Sequence, residues 1–141
     1  MEELYLDATD QIVGRMASVV AKKLLKGETV FILNAEKAVI SGSKKAVFQF
    51  YKNRVSRGDP YHGPFYPNVP DMMLKRSVKG MLPKTTRGRE ALKRLKVFLS
   101  VPEEMKAKKL QKIKEAENKL DFKFVSLAEI SNVISGRKFE N

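Results

Sequence analysis

Apolar side chains recur along this chain with two periods, and the switch between them divides it into alternating strands and helices. Leu4-Tyr5-Leu6 reads as a short strand, followed by Asp7-Ala8-Thr9-Asp10, a cluster of turn and helix-capping residues. Met16, Val19, Val20 and Leu24 fall at i, i+3, i+4 and i+8, the stripe of an amphipathic helix. Lys22, Lys23 and Lys26 crowd its end and Gly27 is its stop. Residues 29–33 are a β-branched and aromatic run without polar alternation, the pattern of a strand covered on both faces and so of a parallel sheet interior. Residues 38–40 predict another short strand. Ser41-Gly42-Ser43 then opens a helix whose Val47, Phe50, Tyr51 and Val55 repeat the stripe.

Between residues 56 and 70 the periodicity fails, because Pro60, Pro64, Pro67 and Pro70 fall there with Gly58 and Gly63. This is a loop, yet Tyr61, His62, Phe65 and Tyr66 make it too aromatic for an idle linker, so it is expected to order against something. Asp71 can cap a third helix with Met73, Leu74, Ser77, Val78, Met81 and Leu82 on one face and Lys75, Arg76 and Lys79 on another; Pro83 ends it. A basic helix over 87–95, a strand over 96–99 and a Lys/Glu-rich surface helix over 103–118 are expected next. Residues 122–125 predict a last strand, and Ser126-Leu127-Ala128-Glu129 has the spacing of a capping box before a small helix.

Strand and helix in alternation predict an α/β fold, and 141 residues fit one domain. The absence of cysteine excludes disulfides, thiolate nucleophiles and cysteine metal sites, and a single histidine, His62, leaves no two-histidine site. Glu2 and Glu3 stand where a signal peptide would carry base, and no apolar run approaches the roughly 18 residues of a membrane span. The chain is expected to be soluble and not exported.

Charge changes the picture more than composition does. Lys and Arg number 28 against 16 Asp and Glu, a net +12. Residues 41–100 alone hold 14 bases and 3 acids, while residues 1–40 hold 5 and 6. Such concentration of like charge destabilises a compact domain by self-repulsion and is explained by a polyanionic partner. The alternative is a solvated basic face kept for solubility. Within residues 75–96 stand nine bases (Lys75, Arg76, Lys79, Lys84, Arg87, Arg89, Lys93, Arg94 and Lys96) and one acid, Glu90. Carried on two helices and a turn, they project in several directions, as the phosphates of a folded RNA do. Thr85, with Thr86 and the N–H groups near Gly80 and Gly88, can donate to phosphate oxygens. Lys44 and Lys45 at a helix start offer a further phosphate contact. Tyr61, His62 and Tyr66, flanked by Arg54 and Arg57, can stack on unpaired bases or lie along a groove, although packing is preferred over stacking at each aromatic, Phe65 above all.

An enzymatic reading must use carboxylates. Asp7 and Glu36 lie just beyond two predicted parallel strands, with Asp10 near enough to join a magnesium site, as in a nuclease; against this stand helix capping and surface ion pairing. Neither phosphate-binding glycine signature occurs, Gly-x-x-x-x-Gly-Lys-Ser/Thr or Gly-x-Gly-x-x-Gly. A protein that compacts duplex DNA with the same basic surface is the other alternative.

Three segments together resemble one family, the universal large-subunit ribosomal protein numbered thirteen. They are Leu6-Asp7-Ala8-Thr9 with Val13-Gly14-Arg15-Met16-Ala17-Ser18, Ile32-Leu33-Asn34-Ala35-Glu36-Lys37 with Ser41-Gly42-Ser43-Lys44, and Val78-Lys79-Gly80-Met81-Leu82-Pro83-Lys84 with Arg87-Gly88-Arg89 and Leu95-Lys96-Val97. The match spans about residues 4–102, and the stretch after Pro102 with the closing Phe124-Val125-Ser126-Leu127-Ala128-Glu129-Ile130 is similar to the archaeal branch. The resemblance implies a three-layer α/β/α single domain over 1–141, with a small, mainly parallel sheet of about four strands, peripheral helices, a core over about 4–102 and a helical extension over 103–141. It implies a structural and assembly component of the large (50S) subunit in the cytoplasm, bound to 23S rRNA and beside other large-subunit proteins. No enzymatic activity, cofactor, metal, small-molecule substrate or membrane is implied. Arg15 joins the rRNA-binding residues by this match.

Overall fold

The computed structural model describes residues 2–119 and 123–135. Along the chain run β1 (Glu3–Asp7), α1 (Val13–Leu25), β2 (Thr29–Leu33), β3 (Val39–Ser41), α2 (Lys44–Ser56), α3 (Pro70–Met81), α4 (Thr86–Lys93), β4 (Leu95–Val97), β5 (Phe124–Ser126) and α5 (Leu127–Ser135). The fold is α/β. Its small sheet divides in two: β1, β2 and β4 form a parallel sheet in that order, and β3 pairs antiparallel with β5 instead of joining it.

The unbroken apolar run of 29–33 becomes the central strand, with Val30, Phe31, Ile32 and Leu33 all buried. Leu6, Val30, Ile32 and Leu95 share one core with Met16, Val20 and Leu24 of α1 and Met73, Leu74 and Val78 of α3. Burying each such Leu or Ile contributes about 2 kcal/mol. Helix α1 packs on β2, α3 and α4, and the latter two pack on β4, so these three helices cover the same sheet face. Tyr5, Phe31 and Lys96 alternate with that core set and lie in register across the three strands. The two rings stack 4.8 Å apart, and the ammonium groups of Lys96 and Lys108 each lie 5.6 Å from a ring centre, over Phe31 and Tyr5 respectively.

Several expectations are corrected. The helix expected over 103–118 does not form: the segment holds only single 3-10 turns at Glu103–Met105 and Lys114–Ala116. Its stretch at Gln111 runs beside β1, where the Gln111 N–H donates to the Tyr5 carbonyl and the Asp7 N–H to the Gln111 carbonyl, both at 2.9 Å. An open sheet edge offers backbone partners that a helix without an apolar stripe cannot match. Of the α2 stripe only Val47 is buried; Phe50 and Val55 are exposed, because α2 packs chiefly against the short α5. The last predicted strand begins at Phe124, residue 122 lying outside the described residues with the end of the chain beyond 135. The capping box forms as expected: the Ser126 N–H donates to the Glu129 carboxylate and the Glu129 N–H to the Ser126 hydroxyl, both at 3.3 Å.

Asp7 and Asp10 do not cap α1, whose N-terminus carries no side-chain cap at Ile12. Asp7 instead accepts from the Thr9 N–H (3.0 Å), the Thr9 hydroxyl (2.7 Å) and the Asn34 amide (3.1 Å), tying the turn after β1 to the turn after β2. Burial pushes its carboxyl up, but the bonds from Thr9 and Asn34, with the charge of Lys112, together outweigh burial and hold it below the usual carboxylate range. Replacing Asp7 by alanine is expected to cost about 2 kcal/mol at pH 7, as for bonds to a charged acceptor. Because the native carboxyl ionises below its unfolded value of about 3.9, that contribution is complete at neutral pH and is lost as pH falls through the native value. Denaturant titrations at pH 7 and pH 3 should therefore show the gap between wild type and variant narrowing in acid.

Helix α4 starts against the turn before it so closely that a Cβ on Gly88 would stand 1.9 Å from the Pro83 carbonyl oxygen. Gly88→Ala is expected to destabilise by about 2 kcal/mol, since backbone cannot yield as a side chain can. Gly80→Ala, with nothing within 4 Å of its Cβ position, is expected to be neutral or to gain up to about 1 kcal/mol from helix propensity. Thermal melts of the pair measure both.

Candidate nucleic-acid interface

The predicted division of α3 into two faces is present over most of the helix, but Met81, expected on the apolar face, is exposed at its C-terminal end. Met73, Leu74 and Val78 are buried, while Lys75, Arg76 and Lys79 line an open groove. The chain leaves α3 at Leu82, whose side chain is buried, turns at Pro83 and enters α4. Between α3, that turn, α4 and the loop before α3 lies a cavity of about 920 Å³. Phe65, Tyr66, Pro67, Met72, Leu82, Pro83 and Leu92 supply its apolar lining, Gly80 and Gly88 its two glycines, and Lys75, Arg76, Lys79, Lys84 and Arg89 its charge. Among the described residues no acidic side chain lines it.

The loop over 57–69 is held to this groove by alternating rings and guanidinium groups. Arg54 lies 4.7 Å from the Phe50 ring centre and 6.0 Å from that of Tyr66, and Arg76 lies 4.6 Å from Tyr66. Tyr51 meets Phe50 and Tyr66 edge-on at 5.3 and 6.0 Å, and its hydroxyl is pushed up to about 12 by burial, with the neighbouring Tyr66 adding to the shift. The Ser131 hydroxyl of α5 donates to the Asn68 carbonyl, anchoring the far end of the loop.

Of the residues expected to bind RNA, the structure gathers Tyr66, Lys75, Arg76, Lys79, Lys84 and Arg89 at the groove. Thr85 at the start of α4, which makes no capping bond, and exposed Lys93 stand on the elements that form it. Two arginines serve the fold. Arg94 donates to the Leu24 carbonyl at 2.6 Å and Arg87 to the Leu25 carbonyl at 3.2 Å, placing positive charge at the C-terminal end of α1. The remainder lie outside the groove. Lys44 pairs with Glu129 at 3.3 Å and lines a separate cavity of about 380 Å³; Lys45 and Arg57 are exposed on and beyond α2, and Arg15 is exposed on α1. Lys96 sits over Phe31, Tyr61 is 88% exposed, and His62 places Nδ1 3.3 Å from Asp59. Sequence reasoning missed Met72, Leu82, Pro83 and Leu92 as groove residues and assigned Phe65 to packing. The one available signal was the interleaving of these apolar positions with bases.

Asp7 is engaged by Thr9 and Asn34, Asp10 is exposed at the smaller cavity, and burial pushes the Glu36 carboxyl above its usual range. Among the described residues no three His, Cys, Asp or Glu side chains are placed to hold a metal ion. Nor is any helix among them long and apolar enough to cross a membrane.

Known proteins were compared with the chain. The family model described as Ribosomal protein L13 matches residues 1–104. A relative from Archaeoglobus fulgidus, named large ribosomal subunit protein uL13, is 46% identical over 137 residues, covering 94% of this chain and 87% of the relative. Relatives of the same name from Picrophilus torridus and Methanosarcina barkeri are 44% and 46% identical over 138 residues, covering 97% and 95% of this chain and 99% and 98% of theirs. With a family match over most of its length and relatives similar from end to end, the chain belongs to the ribosomal protein L13 family.

Proposed function

We propose that the chain is a structural, non-enzymatic constituent of the large ribosomal subunit, that it binds 23S rRNA through the α3–α4 groove, and that it supports subunit assembly and translation beside other large-subunit proteins. The observation that carries this reading is the groove itself, lined by Lys75, Arg76, Lys79, Lys84 and Arg89 and, among the described residues, by no acidic side chain. Neutralising phosphates there releases counterions, so binding is favoured by entropy and weakened by salt. The cations project from two helices and a turn, which suits phosphates of more than one RNA segment. Lys93, Thr85, Arg15, Lys45 and Arg57 extend the positive surface around the groove, and the whole chain acts as one rRNA-binding unit. The shared name of the relatives supports the large subunit as its place of action.

Binding of isolated large-subunit rRNA is expected to fall about a thousandfold between 50 and 200 mM salt, as neutralising six phosphates requires. Lys79→Ala should reduce the slope of log affinity against log salt by about 1, and the double variant with Arg89→Ala by about 2. Filter binding across a salt series measures this; unchanged slopes would remove the groove from the interface. In sucrose gradients of cell extract the chain should cosediment with the large subunit at one copy each and survive a high-salt wash. Recovery at the top of the gradient would refute the ribosomal assignment.

A further inference from the structure

We infer that the α3–α4 groove seats an unpaired RNA nucleotide, its base lying against Phe65 and Met72 and its phosphates on the cations that line it; this rests on the RNA-binding reading above and specifies the ligand.

A surface that only clamps a duplex has no use for an apolar lining, because a helix presents phosphates, sugars and base edges while its base faces are stacked on one another. Here apolar and cationic side chains line one groove. Phe65 is 70% exposed and Met72 52% exposed, and both line the groove. An unpaired nucleotide is the ligand that carries both a flat apolar face and an anionic backbone, and stacking on an aromatic ring with phosphates tracked by cations is how single strands are held. The absence of acidic side chains among the described residues of the lining fits an anion, and about 920 Å³ lies within the range of small-ligand sites.

The seat is also held open before any ligand arrives. The next residue, Tyr66, is fixed by Arg76 at 4.6 Å and by the edge of Tyr51 at 6.0 Å. Phe65 itself lies against Gly63, where an added Cβ would stand 3.1 Å from its ring. Gly80, also in the lining, leaves open space in which any Cβ would meet nothing within 4 Å. Little ordering of the protein is therefore needed on binding, which preserves affinity.

The test uses fluorescence anisotropy with three labelled probes: single-stranded hexa-adenylate, the same hexamer with its two central bases removed, and a short RNA duplex. For the full chain, removing the bases should weaken hexamer binding about tenfold, and Phe65→Ala should weaken the intact hexamer by a similar factor while leaving the base-depleted hexamer and the duplex unchanged. Phe65 is exposed, so the variant is expected to fold, and its circular dichroism and melting point verify that. If intact and base-depleted hexamers bind alike, or if Phe65→Ala weakens all three probes equally, the nucleotide seat is refuted while continued duplex binding leaves the rRNA reading standing. If none of the probes binds at low salt, both fall.

Discussion

The parallel pairing of β2 with a neighbour on each side is the constraint from which the rest of the molecule follows. Parallel strands cannot be joined by a tight turn; each pairing demands a crossover that returns the chain to the same end of the sheet. The first crossover is α1. The second runs from the end of β2 at Leu33 to the start of β4 at Leu95 and contains α2, the aromatic loop, α3 and α4. Nearly all the excess positive charge of the chain lies in that second crossover, so the sheet serves as the frame on which a basic surface is mounted.

Within the crossover α3 and α4 each have to satisfy the core and the groove at once. Helix α3 does so through its 3.6-residue period, which turns Leu74 and Val78 inward and Lys75 and Lys79 outward within the same turns. Helix α4 is too short to do it by periodicity alone and relies on Gly88 and Ala91, small enough to bring its backbone against the structure beneath. The arginines divide their labour in the same way. Arg94 and Arg87 spend their charge on the C-terminal carbonyls of α1, and Arg89, between them in sequence, faces the groove. A basic run thus holds a helix end with some residues and lines an open groove with their neighbours.

The aromatic loop extends this economy. Its prolines and glycines deny it regular structure, yet Tyr66 is gripped by two arginines and a tyrosine from both flanking helices, α2 and α3. Cation–π contacts of this kind are individually small, about 1 kcal/mol. Acting together on one ring, they hold the loop so that Phe65 lies at the groove.

What the sequence determined by itself were properties set by local order. The two-face pattern of α3, the unbroken apolar run of β2, the capping box at Ser126 and Glu129 and the concentration of charge over 41–100 were all legible, because periodicity, short-range hydrogen bonding and net charge do not depend on distant partners. The family motifs, too, were legible in linear order. Only the tertiary structure decided that β3 leaves the parallel sheet for β5, that Gln111 adds to the edge of β1 where a helix was expected, and that Asp7 binds Asn34 rather than capping α1. It also decided which bases face the groove and which hold a helix end, and that Phe65 is displayed rather than packed. Each of these outcomes joins residues far apart in the chain, and long-range pairing is fixed by which backbone edges, helix ends and apolar faces the folded core leaves unsatisfied, a quantity no local pattern contains.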